Sequence, residues 1–132
     1  MPTILDLDFT GTVEPKAYPG GKEYKIRLLD VTKDTNKNDE AYILPRFEIS
    51  GKPDSKDFTH YMGLPHSGMN EKQANSAKFR IMQFYGCFGI PTKGKINLED
   101  YKGKEGWAIL GYKEDDEYGP QNFVRKFLEK KG

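Results

Sequence analysis

Apolar and polar residues alternate along most of the chain, a pattern typical of half-buried β-strands. Three such segments come first: KEYKIRLLDVT from Lys22, AYILPRFEIS from Ala41 and KDFTHYM from Lys56. In the second segment the alternation places Ile43, Phe47 and Ile49 on one face and Tyr42, Leu44 and Arg46 on the other. Pro45 cannot donate to a β-ladder, so this strand is expected at a sheet edge or beside a bulge.

The period changes after these strands. Between Asn70 and Gly89 the apolar residues follow a helical spacing. They are Ala74, Ala77, Ile81, Phe84, Tyr85 and Phe88. Asn70 is the predicted N-cap, and Gly89 is the predicted stop. The pattern therefore predicts one α-helix after the third strand.

Two further strands are predicted by GWAILGY and QNFVRKF, which are separated by the charged turn KEDDEYGP. On the first, Trp107, Ile109 and Gly111 alternate with Ala108, Leu110 and Tyr112. On the second, Asn122, Val124 and Lys126 alternate with Phe123, Arg125 and Phe127. This pattern predicts an antiparallel hairpin.

Three strands, a helix and two strands are the element order of a five-stranded oligonucleotide/oligosaccharide-binding (OB) barrel, whose α-helix lies between strands 3 and 4. We therefore expect a mainly β fold of this class. Prolines and a Gly-Gly pair mark residues 1–21 as an N-terminal arm. Residues 22–132 are then the single OB-like domain, since 132 residues suffice for one core.

The composition of the chain indicates its compartment and limits how it could bind a polyanion. The lone cysteine, Cys87, cannot form an internal disulfide, which indicates a reducing compartment and a cytoplasmic location, the host cytoplasm if the protein is viral. We expect no secretory leader and no membrane association, because no long apolar run occurs. The 21 basic and 20 acidic residues give a net charge of +1, so binding to a polyanion requires a local patch.

Three patterns resemble catalytic or metal sites but lack residues that the chemistry requires. GIPTKGKI has phosphate-loop spacing, but Ile96 stands where a Ser or Thr would bind magnesium. His60, His66 and Cys87 lack a fourth ligand and the paired spacing of a zinc site. The acidic residues 114–117 lie on a predicted hairpin tip, where a solvated turn is the expected role. We expect no cofactor, no metal and no enzymatic activity.

Aromatic rings and cations share four predicted strands, and single-stranded nucleic acid binding needs both, for base stacking and for phosphate contacts. The predicted DNA-binding residues are Arg27, Arg46, Lys104, Arg125 and Lys126 for phosphate and Tyr42, Tyr61, Trp107 and Tyr112 for stacking. For any one of these rings, burial in the core is the alternative.

The segments AYPGGKEYKIRLLDV, LPRFEISGK, NSAKFRIMQFYGCFGIP and LEDYKGKEGWAILGYKEDDEYGPQNFVRKF resemble a family of small phage proteins encoded near replication and recombination genes. That family is similar to single-stranded-DNA-binding proteins with an OB barrel. The resemblance spans about residues 17 to 128, and it implies coating of single-stranded DNA in phage replication or recombination. It also implies replication or recombination proteins as partners, but the chain ends FLEKKG where such proteins commonly carry an acidic tail.

A second hypothesis uses the same exposed rings as a protein-protein interface. The chain would then be an interaction module, such as a recombinase accessory or an anti-host factor. The near-zero net charge favours this alternative. The sequence leaves the oligomeric state open.

Overall fold

The computed structural model describes residues 2–129. Its strands are β1 (Lys22–Thr35), β2 (Ala41–Ile49), β3 (Phe58–Thr59), β4 (Met62–Gly63), β5 (Glu105–Asp115) and β6 (Gly119–Phe127). Its helices are α1 (Glu71–Phe88), between β4 and β5, and a 3₁₀ helix (Leu98–Tyr101). The prediction of a mainly β chain with one α-helix is confirmed. No helix within residues 2–129 is long and apolar enough to cross a membrane.

The strands form one antiparallel sheet in the order β3-β2-β1-β5-β6, with β4 paired to β2. The predicted closed barrel of five strands is wrong, because the sheet is open and has six strands. The third predicted strand is divided at His60 and Tyr61, so α1 follows a fourth strand. The edge strands nevertheless approach each other through side chains. The His60 and Phe127 rings are 5.4 Å apart, and Lys56 Nζ donates to the carbonyl oxygens of Tyr118 and Pro120 at 3.2 and 2.9 Å.

The predicted faces of β2 are confirmed, because Ile43, Phe47 and Ile49 are buried while Tyr42, Leu44 and Arg46 are partly exposed. Ile26 and Leu28 of β1 and Phe47 of β2 are fully buried. A bulge between Leu28 and Asp30 then shifts the register of β1. Pro45 lies beside this bulge, in a strand with neighbours on both sides, and its carbonyl accepts from the His60 N–H at 3.1 Å, where β3 and β4 are interrupted. Of the two positions predicted for Pro45, the position beside a bulge is confirmed and the position at a sheet edge is wrong.

A second bulge changes the faces of β6. Leu110 pairs with Val124 while Ile109 pairs with Lys126, so Arg125 is the extra residue. The simple alternation, which placed Phe127 with Phe123 and opposite Val124, is wrong beyond this point. Val124 and Phe127 are both buried, whereas Lys126 is exposed.

The core lies between the inner face of the sheet and α1. The ring of Phe47 has its centroid 5.6 to 6.1 Å from those of Phe58, Phe84, Phe88 and Phe127. The helix begins and ends as predicted, because the Asn70 side chain accepts from the Gln73 N–H at 2.8 Å and Gly89 adopts a left-handed conformation with φ of 71°. The apolar stripe of α1 thus covers the sheet.

The predicted N-terminal arm has two parts with different environments. Residues 2–15 are exposed. After them, Lys16 forms an isolated parallel β-bridge with Ser55. The Tyr18 N–H donates to the Asn122 side-chain oxygen, and the Asn122 side-chain amide donates to the Tyr18 carbonyl, both at 2.8 Å. The second part therefore ties the β2–β3 connection to β6.

Candidate nucleic-acid interface

The solvent-facing side of β1, β5 and β6 presents one exposed tryptophan among lysines. Trp107 is 50% exposed. Its cross-strand neighbour on β1 is Lys25, and Lys126 of β6 pairs with Ile109, the next outward position on β5. Because side chains on one face of neighbouring strands lie close together, both lysines are within reach of the Trp107 ring. We call this surface the Trp107 face; it comprises Lys25, Trp107, Ile109, Lys113, Phe123 and Lys126.

Phe123 extends the Trp107 face along the hairpin. It pairs with Gly111, and a β-carbon at Gly111 would overlap the Phe123 ring, so this pairing requires glycine. Lys113 Nζ lies 6.0 Å from the centre of the same ring, a distance at the limit of a cation–π contact. A second ring and a third lysine therefore share the surface with Trp107.

The backbone of Trp107 is held against α1. The Cys87 thiol donates to the Trp107 carbonyl at 3.2 Å, and a β-carbon at Gly106 would lie 2.5 Å from the Cys87 carbonyl oxygen. Burial raises the pKa of Cys87 to about 11, so this thiol is protonated at neutral pH. Its contribution is to position β5.

Two of the predicted phosphate ligands, Arg27 and Arg46, are already paired with carboxylates. The Arg27 guanidinium nitrogens lie 3.3 Å from a carboxylate oxygen of Glu48 and 3.7 Å from one of Glu105.

The Arg46 guanidinium nitrogens lie 2.6 Å from a carboxylate oxygen of Asp30 and 2.5 Å from one of Asp57. Its hydrogen bonds lower the pKa of Asp30, so this carboxylate stays ionised at neutral pH. Four carboxylates thus surround two arginines, so neither arginine is free, and a phosphate would have to compete with these pairs.

Lys104, Arg125 and Lys126 form no ion pair within residues 2–129, and all three are exposed. Lys126 belongs to the Trp107 face. Arg125 is the bulged residue next to it, and Lys104 immediately precedes β5. Lys25 approaches Glu105 only at 4.0 Å and keeps 49% of its side chain exposed. Of the five predicted phosphate ligands, the three outside these ion pairs therefore lie on or next to β5 and β6.

The predicted stacking residues do not form one surface. Tyr42 and Tyr61 form a separate ring pair beside the β1–β2 turn, with centroids 4.7 Å apart, and Tyr61 is 54% exposed. The Tyr61 hydroxyl accepts from the Asn36 amide at 3.3 Å. Tyr112 alternates with Trp107 on β5, so it lies on the opposite face, where its hydroxyl donates to Glu114 at 3.2 Å.

The acidic tip is shorter than predicted, because the β5–β6 ladder continues to the pair Asp115 and Gly119. The Asp115 carboxylate accepts the backbone N–H groups of Glu117 and Tyr118 at 2.8 and 2.9 Å. These bonds lower the pKa of Asp115. One of the four acidic residues therefore has a structural role in the turn.

The predicted zinc candidates are apart in the fold. His66 Nε2 lies 3.0 Å from Glu40, whereas His60 packs on Phe127 and Cys87 bonds to Trp107. Burial lowers the pKa of His60. Within residues 2–129, no three His, Cys, Asp or Glu side chains are grouped as a metal site would require.

The sequence-based selection missed Lys25, Lys113 and Phe123. Lys25 and Lys113 each follow a tyrosine in the sequence, and Phe123 lies two residues before Arg125, but their shared surface depends on the β1–β5 and β5–β6 register, which the sequence does not state. The sequence matches no protein-family model, and no curated protein is significantly similar to it. Any function must therefore be argued from the surface itself.

Proposed function

We propose that this protein binds and coats single-stranded DNA without catalysis, and that the Trp107 face is the contact surface. The observation that carries the proposal is a half-exposed Trp107 with Lys25 directly across the ladder and Lys126 one position along. An indole ring offers a stacking platform to any base, and flanking ammonium groups can follow the phosphate backbone. The combination favours single strands, because the bases of a duplex are already stacked on each other.

The charge pattern limits the number of phosphate contacts. Lys25, Lys113 and Lys126 lie on the Trp107 face, while Arg27 and Arg46 are engaged by carboxylates. About three phosphate contacts on a single strand correspond to a slope of about −2 for log affinity against log salt concentration. Binding of moderate strength with little sequence preference is expected.

The proposal extends to the fold and the biological setting. We propose that the open sheet is a variant of the OB barrel, supported by the pairing of β1 with both β2 and β5 and by the helix before the last hairpin. We also propose that the protein acts in the cytoplasm of a phage-infected cell, in replication or recombination, as its resemblance to the small phage proteins implies.

A titration with oligo-dT tests the proposal directly, because Trp107 is the only tryptophan in the chain. Stacking should quench its fluorescence, and a duplex of equal length should quench it far less. Trp107→Ala, followed by gel shift, should weaken binding by about 1 to 3 kcal/mol, and Lys25→Gln should flatten the salt slope by about 0.7.

Tyr118→Ala is the matched control, since Tyr118 is an exposed ring on the hairpin tip outside the Trp107 face. It should bind like the wild type. Absence of quenching at low salt, equal binding of duplex and single strand, or equal losses in the Trp107 and Tyr118 variants would each contradict the proposal.

A second candidate function, a protein-interaction module, is favoured by one observation. The pairing of Arg27 and Arg46 with four acidic residues leaves neither arginine free for phosphate, beside the exposed Tyr61 ring. Interfaces between proteins are enriched in aromatic residues and in arginine. Lack of any DNA binding in the oligo-dT titration would support this function.

A further inference from the structure

A cavity of about 580 Å³ lies between the first turns of α1 and two loops, the one that joins β1 to β2 and the one that joins β4 to α1. This volume is typical of pockets that hold small ligands. Of the described residues that line the cavity, only Met69 has an apolar side chain, and none is a phenylalanine, tyrosine or tryptophan. The cavity therefore suits a polar ligand and offers no large ring on which a base could stack.

Two cations line the cavity without a carboxylate partner. Lys72 and Arg80 are both exposed, and within residues 2–129 neither forms an ion pair. They share one face of α1 with Ser76, because residues four apart are neighbours on a helix. Arg80 Nε donates to the Ser76 carbonyl at 3.3 Å, which holds the guanidinium on this face and leaves its terminal N–H groups for a ligand.

One carboxylate, that of Glu40, also lines the cavity, but it has donors of its own. One of its oxygens accepts from the Asn36 amide at 3.3 Å, and the other lies 3.0 Å from His66 Nε2. His66 Nδ1 accepts the Gly68 N–H at 3.1 Å, so the ring proton lies on Nε2 and is donated to Glu40. The carboxylate is thus held by the two loops and does not pair with the cations on α1.

The side chains on the α1 wall of the cavity present mostly hydrogen-bond donors. A lysine ammonium and an arginine guanidinium can only donate, and the Ser76 hydroxyl can donate as well. The Gln73 side-chain oxygen accepts the Asn70 N–H at 3.0 Å, so Gln73 has its amide N–H groups left for the cavity. A ligand that satisfies this wall must be rich in acceptors and negatively charged, and a phosphate group has both properties.

The spacing of the two cations favours more than one phosphate group. Lys72 and Arg80 are separated by about 12 Å along the helix axis, since each residue adds about 1.5 Å. Two linked phosphate groups span this distance more easily than one small anion, such as a carboxylate. They can also bond to both cations at once, with Ser76 between them.

We propose that this cavity binds a small polyphosphate, of the chemical class of inorganic pyrophosphate and the phosphate chain of a nucleotide. Lys72 and Arg80 each contact one phosphate group, and Ser76 and Gln73 donate to the oxygens between them. The cavity lies on the α1 side of the sheet, whereas the Trp107 face is on the outer side, so this inference does not depend on DNA binding.

Isothermal titration calorimetry with sodium pyrophosphate, in a buffer without phosphate or divalent metal, tests the proposal. The wild type should show saturable binding at a single site. Lys72→Gln and Arg80→Gln should each weaken binding about tenfold or more, as expected when one charged hydrogen-bond donor is lost. Lys78→Gln is the matched control, because Lys78 is an exposed cation of the same helix that does not line the cavity. Its affinity should stay within about twofold of the wild type, since solvent and salt screen an exposed charge.

All three positions are exposed, so circular dichroism of the variants should match that of the wild type. The variants also carry the same net charge, so a difference between them reports local contact. Because pyrophosphate binding is measured without DNA, its outcome is separate from that of the oligo-dT titration.

Three results would overturn the proposal. One is the absence of saturable pyrophosphate binding by the wild type. Another is an equal loss in all three variants, which would assign the binding to the general charge of the helix. The third is weaker oligo-dT binding by Lys72→Gln or Arg80→Gln, measured through Trp107 fluorescence, which would place a nucleic-acid strand in the cavity instead of a small ligand.

Discussion

Replacing Phe47 by alanine tests which face of the sheet is the core. Phe47 is fully buried, and four other rings lie within 6.1 Å of its centroid. Truncation of a buried phenylalanine costs about 3 to 5 kcal/mol in total, and the four neighbouring rings place Phe47 at the upper end of this range. We expect a loss of about 5 kcal/mol. A domain of this size is stable by about 5 to 15 kcal/mol, so the variant should be close to unfolding at room temperature.

The assay is urea unfolding followed by far-UV circular dichroism, which gives the free energy of unfolding from the midpoint and slope. Phe47→Leu keeps most of the volume and should lose about 1 to 2 kcal/mol, so a value can be measured even if the alanine variant is unfolded. Leu44→Ala is the control on the opposite face of β2, where partial burial implies a loss of about 1 kcal/mol. A larger loss at Leu44 than at Phe47 would refute the assigned faces.

Three further predictions follow from individual contacts. Gly106→Ala should lower the free energy of unfolding by about 1 to 3 kcal/mol in the same assay, because the alanine β-carbon would collide with the backbone of α1. Gly63→Ala is the control, since a β-carbon there has no atom within 4 Å, and its free energy of unfolding should be nearly unchanged. Burial lowers the pKa of His60, so near the ordinary histidine pKa of about 6.5 the unfolded chain binds more protons than the folded one. The free energy of unfolding should therefore increase as the pH rises through about 6.5. In His60→Gln, urea midpoints at several pH values should show a smaller rise. Neutralising residues 114, 116 and 117 should leave the urea midpoint unchanged, but adding Asp115→Ala should lower it, because only that carboxylate accepts turn N–H groups.

The sequence predicted the elements whose signal is local. The helix between Asn70 and Gly89 carries its own caps and its own apolar stripe, so no distant contact was needed to place it. The hairpin is similar, because both strands and the turn are adjacent in sequence. Local patterns of this kind identify the elements but do not state how distant elements pair.

The features that the sequence did not predict depend on pairing between distant segments. The bulges after Leu28 and at Arg125 each reverse the faces for the rest of a strand, and a period-2 pattern shows neither in advance. The division of the third strand at His60 depends on the β2–β3 and β2–β4 register, because Pro45, which has no backbone N–H, lies opposite the gap. Sheet closure failed as a prediction for the same reason.

The residues of the candidate site also fall into two groups, those that the sequence could indicate and those that depend on distant pairing. Trp107 could be selected from its strand pattern, although burial was the alternative, and its exposure agrees with a surface role. The pairing of Arg46 with Asp30 and Asp57 could not be read from the sequence, since these residues are 16 and 11 positions apart from it. Ion pairing across strands thus decides which cations remain available to a ligand.

The Arg125 bulge links the core to the proposed DNA surface. If Arg125 paired regularly instead of forming a bulge, Phe127 would share a face with Phe123 and could not face inward together with Val124. With the bulge, Phe127 packs against Phe47 at 5.8 Å while Lys126 projects outward beside Ile109. The insertion itself leaves Arg125 exposed at the same place. One irregularity therefore completes the ring cluster of the core and places two cations next to Trp107; deletion of Arg125 would keep Phe127 inward and Lys126 outward, and would remove only the exposed Arg125 cation.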